Sequence, residues 1–211
     1  MGSDDSSNNR VRNGVFHCNP LCPRRVGSHY LLWGHVDTGF PLQAMVGPDW
    51  PCMIASYVLI IGGSFLVMAY VIPDSGFGKI GQLVELCLMI STCLCFSCAG
   101  CSDPGIVFKE LYNVHDMDDE FSRVETGAGA KQPKNRCMHC DVIRGPRASH
   151  CYDCDLCISE LDHHCPWTGK CIGQKTLKNF YMFLTSLCGL IIFSIVCVFS
   201  YVTGPFDTDA E

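Results

Sequence analysis

Three long apolar stretches constrain this chain more than any other feature. A helix that crosses a bilayer needs roughly 20 predominantly apolar residues. The first stretch runs from Cys52 to Ile72, carries no charge, and is bracketed by Pro51 and Pro73. The second runs from about Ile80 to Cys101, with Glu85 near its start as its sole charge. The third, Phe180 to Thr203, is again uncharged. A soluble protein would have to bury all three, and the rest of a 211-residue chain is too small to cover them. The expected architecture is a multi-pass α-helical membrane protein with spans at 52–72, 80–101 and 180–203.

Lys and Arg in the flanking segments orient such a chain, because they concentrate on the cytosolic side. Residues 1–51 hold four: Arg10, Arg12, Arg24 and Arg25. The first connection holds only Lys79, the segment 102–179 holds ten, and the tail after Thr203 holds none. Three crossings require this alternation. It predicts a cytosolic segment 1–51, a cytosolic segment 102–179, and a non-cytosolic tail 204–211. Residues Met1 to Arg12 are polar and acidic, without the apolar core of a signal peptide. Gly2 followed by Ser6 fits the loose myristoylation pattern; an ordinary polar N-terminus is the plainer reading.

The chain carries a net charge of −6, which argues against a nucleic-acid partner, since that footprint is normally a basic face. Its 17 cysteines are many and odd in number, so disulfides cannot pair them all. A cytosolic location also disfavours disulfides. Those in the apolar stretches read as helix packing, and Cys98 and Cys101 also as acylation candidates. Cys18 and Cys22, with His17, lack a distal pair and read as packing or acylation.

The cytosolic segment divides in composition. Residues 102–136 hold an acidic run, Asp116, Asp118, Asp119 and Glu120, and then a Gly/Ala/Lys linker. Residues 137–179 are cysteine-rich and regular: Cys137-x2-Cys140-x9-His150-Cys151-x2-Cys154-x2-Cys157-x4-Asp162-His163-His164-Cys165-x5-Cys171. A C-x2-C turn brings two sulfurs to one side, and structural zinc takes four Cys/His ligands in a tetrahedron. Two such sites need eight ligands; six cysteines and two histidines fill them and leave one of the seven cysteines over. Spacing alone does not identify the leftover. Cys165 is the best candidate, because it follows Asp162, His163 and His164 instead of sitting in a C-x2-C pair. A thiol beside a histidine is a nucleophile candidate, with His163 as base and Asp162 orienting it. The other reading makes Cys165 and both histidines metal ligands only.

These residues resemble the DHHC protein S-acyltransferases, or palmitoyltransferases. The resemblance rests on Asp162-His163-His164-Cys165 within the cysteine framework, Pro166-Trp167 after it, and Cys171-x-Gly173. Ser102-Asp103-Pro104-Gly105 after the second stretch is similar to the family's Asp-Pro-Gly motif, and Gly47-Pro48-Asp49 to a weaker element of some members. The family implies a two-zinc finger module: one site from Cys137, Cys140, His150 and Cys157, the other from Cys151, Cys154, His164 and Cys171. It further implies that Cys165 attacks palmitoyl-CoA or another fatty acyl-CoA, with His163 as base oriented by Asp162. The acyl group then passes to a cysteine of a protein substrate in a ping-pong scheme. Arg144 and Arg147 match basic positions that would meet CoA phosphates, or else form a solvated face. Trp167 suits the membrane interface or the packing of the finger. Implied partners are the lipid bilayer, the acyl-CoA and cysteine-containing proteins; the implied location is an endomembrane (Golgi or endoplasmic reticulum) or the plasma membrane.

The sequence departs from the family pattern in three places. Thr168-Gly169-Lys170 replaces a Val-Asn-Asn type of stretch, Thr176 stands where Asn is common, and the 211 residues show neither a fourth span nor a Thr-Thr-x-Glu motif. A rival reading follows: a catalytically inactive, membrane-anchored zinc module that binds protein partners.

Overall fold

The structure, a computed structural model, describes residues 25–33, 44–108 and 136–204. Gly2, His17, Cys18, Cys22, the acidic run at 116–120 and the tail beyond 204 lie outside the described residues. The chain divides into two compact units. One takes residues 1–48, 101–165 and 170–175; the other takes 49–100, 166–169 and 176–211.

The second unit is helical. Its elements are α1 (Trp50–Leu66, extended by a π-helical turn Val67–Val71), α2 (Gly78–Cys101) and α3 (Leu177–Thr203). With the π-turn counted, all three are long and apolar enough to cross a membrane. Their starts precede the expected spans by two or three residues. Pro51 lies inside the first turn of α1, where its missing N–H costs nothing. Lys178 and Asn179 are polar and so fall outside the apolar stretch, yet they are ordinary helix formers in the first turn of α3.

The π-turn at the end of α1 has a local cause. Ile72 donates to the Val67 carbonyl, five residues back, at 3.0 Å. In that register the Met68 carbonyl would need the N–H of residue 73, which is a proline. The Gln82 amide of α2 supplies the donor instead, at 3.1 Å. Other polar ties join the helices: Ser194 of α3 donates to the buried Glu85 carboxylate of α2 at 3.1 and 3.3 Å, and Ser200 to the Ser75 carbonyl at 2.7 Å. Within hydrocarbon such groups have no water to turn to, so they bind helix to helix. Phe96 of α2 sits between Tyr57 of α1 and Phe183 of α3, with ring centroids 4.8 and 4.9 Å away. The short turn Pro166–Thr168 belongs to this unit: Ser56 donates to the Trp167 carbonyl at 3.1 Å, and the Asp49 N–H to the Gly169 carbonyl at 3.2 Å.

The first unit is built from short antiparallel strands. An N-terminal sheet runs β1 (Arg25–Val26), β2 (His29–Trp33), β3 (Ala44–Val46). Two hairpins follow, β4 (Ser149–Cys151) with β5 (Leu156–Ile158), and β6 (His163–Cys165) with β7 (Lys170–Ile172). A single bridge, Arg136 to Ile143, marks a shorter hairpin before them. The apolar core is small: Val26, Met45, Ile106 and Ile158 close around Cys151, Cys154 and Cys171, while Val142 packs with Cys137 and Cys157. A core this slight is of the size that metals commonly staple.

The Asp-Pro-Gly segment fastens this unit. The Asp103 carboxylate accepts from the Gly105 and Ile106 N–H groups at 2.8 and 3.0 Å, closing an Asx turn, and from Lys175 at 2.6 Å. Ser159 donates to the Gly105 carbonyl at 2.8 Å, so the turn is stitched to the residue after β5.

Candidate functional site

Strand geometry sorts the cysteines and histidines. In the β4–β5 hairpin His150 faces Cys157 directly across the ladder, and in β6–β7 His164 faces Cys171. Residues so paired share a face, about 4.5–5.5 Å apart at Cβ. Each pair meets a C-x2-C turn from the preceding hairpin. The result is two clusters: Cys137, Cys140, His150 and Cys157; and Cys151, Cys154, His164 and Cys171. Within each, all ligand atoms lie within 4.8 Å of one another.

The distances fit a tetrahedral ion. Metal–sulfur bonds of about 2.3 Å and metal–nitrogen bonds of about 2.0–2.1 Å give S···N edges of about 3.6 Å and S···S edges of about 3.8 Å. The His150 Nδ1 lies 3.6, 3.2 and 3.9 Å from the sulfurs of Cys137, Cys140 and Cys157. The His164 Nδ1 lies 3.5, 3.3 and 3.6 Å from those of Cys151, Cys154 and Cys171. Acidity fits as well. Hydrogen bonding from Cys157 is the main cause that brings the Cys140 thiol down to about 6, and Cys171 does the same for Cys154, down to about 4. Cys157 and Cys171 are pushed up in return, because a thiolate already stands beside them. A dication relieves that repulsion and lets every sulfur ionise.

The clusters are copies. In each, the histidine follows the two turn cysteines by 13 and 10 residues and precedes the last cysteine by 7. The second set is displaced from the first by fourteen residues throughout. The backbone repeats with the same period. Cross-strand pairs recur at Arg136–Ile143, His150–Cys157 and His164–Cys171. Left-handed residues follow each turn at Asp141 (φ 56°), Asp155 (φ 52°) and Gly169 (φ 82°). The fourteen-residue spacing of the ligands is the signal of this short repeat in the sequence.

The repeat places Cys165. It occupies the position held by Cys137 and Cys151 in the earlier copies, the first cysteine of a turn. Its mate, four positions into that turn, is Thr168 in place of a cysteine. The third turn is therefore incomplete, and Cys165 stands outside both clusters. Side chains alternate along a strand, so His163 and Cys165 lie on one face of β6 and the ligand His164 on the other. The His163 Nδ1 meets the Asp162 carboxylate at 2.7 Å. That pair is half exposed, while Cys165 is 8% exposed.

The remaining expected residues are more scattered. Arg147 is exposed and pairs with Glu160 at 2.6 Å; Arg144 is half-buried; Trp167 is exposed within the helical unit's Pro166–Thr168 turn. The sequence marks Lys170 only as part of a departure from the family pattern, without a role. It faces Cys165 across the β6–β7 ladder, is fully buried, and donates to the Ser102 carbonyl. Burial brings its ammonium down to about 8.

Comparison with known proteins bears on the same residues. Residues 130–211 match the family model described as DHHC palmitoyltransferase. Palmitoyltransferase ZDHHC14 of Mus musculus is 47% identical over 118 residues, covering 48% of this chain and 24% of that protein. Palmitoyltransferase ZDHHC5-B of Danio rerio is 33% identical over 140 residues, covering 63% of this chain and 21% of that protein. Palmitoyltransferase ZDHHC8 of Homo sapiens is 36% identical over 118 residues, covering 52% and 15% respectively. The chain thus spans about a quarter or less of the length of these curated relatives. The matched segment holds both clusters, the Asp162–Cys165 tetrad and α3, so residues 130–211 are similar to the DHHC palmitoyltransferase family.

Proposed function

We propose that this chain is a protein S-acyltransferase that carries palmitate from palmitoyl-CoA to protein cysteines through an acyl-Cys165 intermediate. The observation that carries the reading is the position of Cys165 in the repeat, outside both clusters and two residues from a histidine already hydrogen-bonded to a carboxylate. His163, with Nδ1 bound to Asp162, offers Nε2 as the base. It takes the Cys165 proton, and the sulfur attacks the thioester carbonyl. The bond from that carbon to the CoA sulfur breaks, and the CoA thiolate leaves with the proton from His163. A protein thiol then gives its proton to His163 and attacks acyl-Cys165, releasing the Cys165 thiolate, which is reprotonated.

The two clusters are read as structural zinc sites. With four protein ligands each, a zinc ion there holds hairpin to hairpin and has no open position for water. Arg144 and Arg147 are proposed contacts for the CoA phosphates, and Trp167 for the lipid interface. The charge alternation along the chain supports a cytosolic finger, in an endomembrane or the plasma membrane.

The test is the intact mass of the purified chain after incubation with palmitoyl-CoA. The wild type is expected to gain one hydroxylamine-labile palmitoyl group that Cys165→Ser lacks. Equal labelling of both would overturn the assignment of Cys165. No labelling of a wild type that holds two zinc ions would favour the inactive zinc module.

A further inference from the structure

His29 lies on β2, far in sequence from the cysteine-rich segment, and is 1% exposed. Among the described residues, neither ring nitrogen has a nitrogen or oxygen partner. A buried imidazole left so is costly, and the cost persists only where something else requires the ring. Its surroundings show what that is. The adjacent Ser28 N–H donates to the Cys154 carbonyl at 2.9 Å. Gly27, at φ 55°, lies so close to this turn that a Cβ would stand 2.7 Å from the Cys154 carbonyl oxygen and 2.6 Å from Leu156. Val26 and Met45 of the same sheet pack in the core formed with Cys151, Cys154 and Cys171. The β1–β2 turn is thus seated on the second cluster, with the ring beside the Cys154 sulfur.

We propose that His29 is an outer-shell partner of the second metal centre, its ring N–H directed at the Cys154 thiolate. This rests on the zinc reading of that cluster. Three thiolates and one zinc ion leave a net charge of −1 in a buried place, and a neutral N–H donor spreads that charge without adding a ligand. The first cluster has an aromatic neighbour of another kind: the exposed His139 ring stacks on His150 with centroids 4.8 Å apart. The N-terminal sheet is therefore assigned to one centre of the two. Outer-shell donors of this kind commonly change metal affinity by about 10–100-fold when removed.

The experiment uses the full chain in detergent, with zinc counted by elemental analysis and its release followed with the chromogenic chelator 4-(2-pyridylazo)resorcinol. The wild type is expected to hold two zinc ions. His29→Met, which fills the space without an N–H, should release one of them about 10–100-fold faster and leave the other unchanged. His29→Gln, which restores an N–H, should recover most of the difference. Equal rates in wild type and His29→Met overturn the proposal, as does equal acceleration by Met and Gln, which would reduce His29 to packing. Should His29→Met fail to fold, the wild type decides. Loaded with cadmium-113, it should show a coupling from the His29 ring proton to the metal across N–H···S, and its absence overturns the proposal. A wild type with fewer than two zinc ions overturns the zinc reading itself, a result distinct from two tightly held ions indifferent to residue 29.

Discussion

At the scale of single residues, His163 and His164 are neighbours that strand alternation turns to opposite faces. His164 points its Nδ1 at three sulfurs, whereas His163 points its Nδ1 at Asp162. His163→Ala is expected to keep two zinc ions and to lose acyl-enzyme formation by about 10²–10⁴-fold. His164→Ala is expected to lose at least one zinc ion. Elemental analysis beside intact-mass kinetics reads both, and a His163 variant that sheds zinc would contradict the assignment. Asp103 makes a different prediction, about stability. Burial acts to raise its pKa, but the Lys175 ammonium and the Ile106 and Gly105 N–H groups outweigh it and hold the carboxyl below its ordinary value. The folded value is thus lower than the unfolded one. The stabilisation is complete above the unfolded value of about 3.9 and is lost as pH falls through the folded value. Asp103→Asn should therefore destabilise the first unit at pH 7 by about 1–3 kcal/mol, as loss of a hydrogen-bonded charge does. The gap from wild type should close as the pH is taken below about 4, measured by chaotrope unfolding at each pH.

At the scale of elements, the finger is one hairpin written three times, and its two candidate metal clusters lie between copies instead of within them. The first centre takes the turn of the first hairpin and the cross-strand pair of the second; the second centre takes the turn of the second and the pair of the third. The middle hairpin serves both. Cys137→Ser should therefore leave about one zinc ion per chain, because it touches only the outer hairpin. Cys154→Ser should leave less than one, because it loosens the strands that present His150 and Cys157. Equal metal loss from the two variants would show that the hairpins hold their ions independently. The same elements show what the sequence makes legible. The ligand residue types and their C-x2-C spacing announce a metal site, because chelation is local in the chain. The cross-strand pairing was not read from them, since strands of three residues carry too little alternation to signal themselves. The N-terminal sheet was missed for a related reason: β1 and β3 have two and three residues, and their partner in the core lies over a hundred positions away. The three apolar helices were plain, because bilayer thickness sets a length that composition alone reveals.

At the scale of the whole molecule, the expected arrangement in the membrane follows from charges the folded units do not need. Lys79, in the first turn of α2, is the sole basic residue from Trp50 to Cys101, against ten in residues 102–179. Polar ties such as Ser194 to Glu85 and Gln82 to Met68 would form equally well in either orientation, since they join helix to helix within one unit. The expected orientation therefore rests on the flanking charges and not on packing. The chemistry proposed for Cys165 depends on the outcome, because acyl-CoA and reduced protein thiols are both met in the cytosol, where disulfides are rare. A spacer carrying an N-glycosylation acceptor, inserted at Gly76, should be glycosylated in microsomes, and the same insertion after Gly129 should not. Adding four lysines beside Gly76 weakens the asymmetry that orients α1 and α2, so a fraction of that chain should lose the modification at Gly76. Glycosylation after Gly129 in the unaltered chain would place the cysteine-rich unit on the far side and remove the setting that the acyl-transfer mechanism requires.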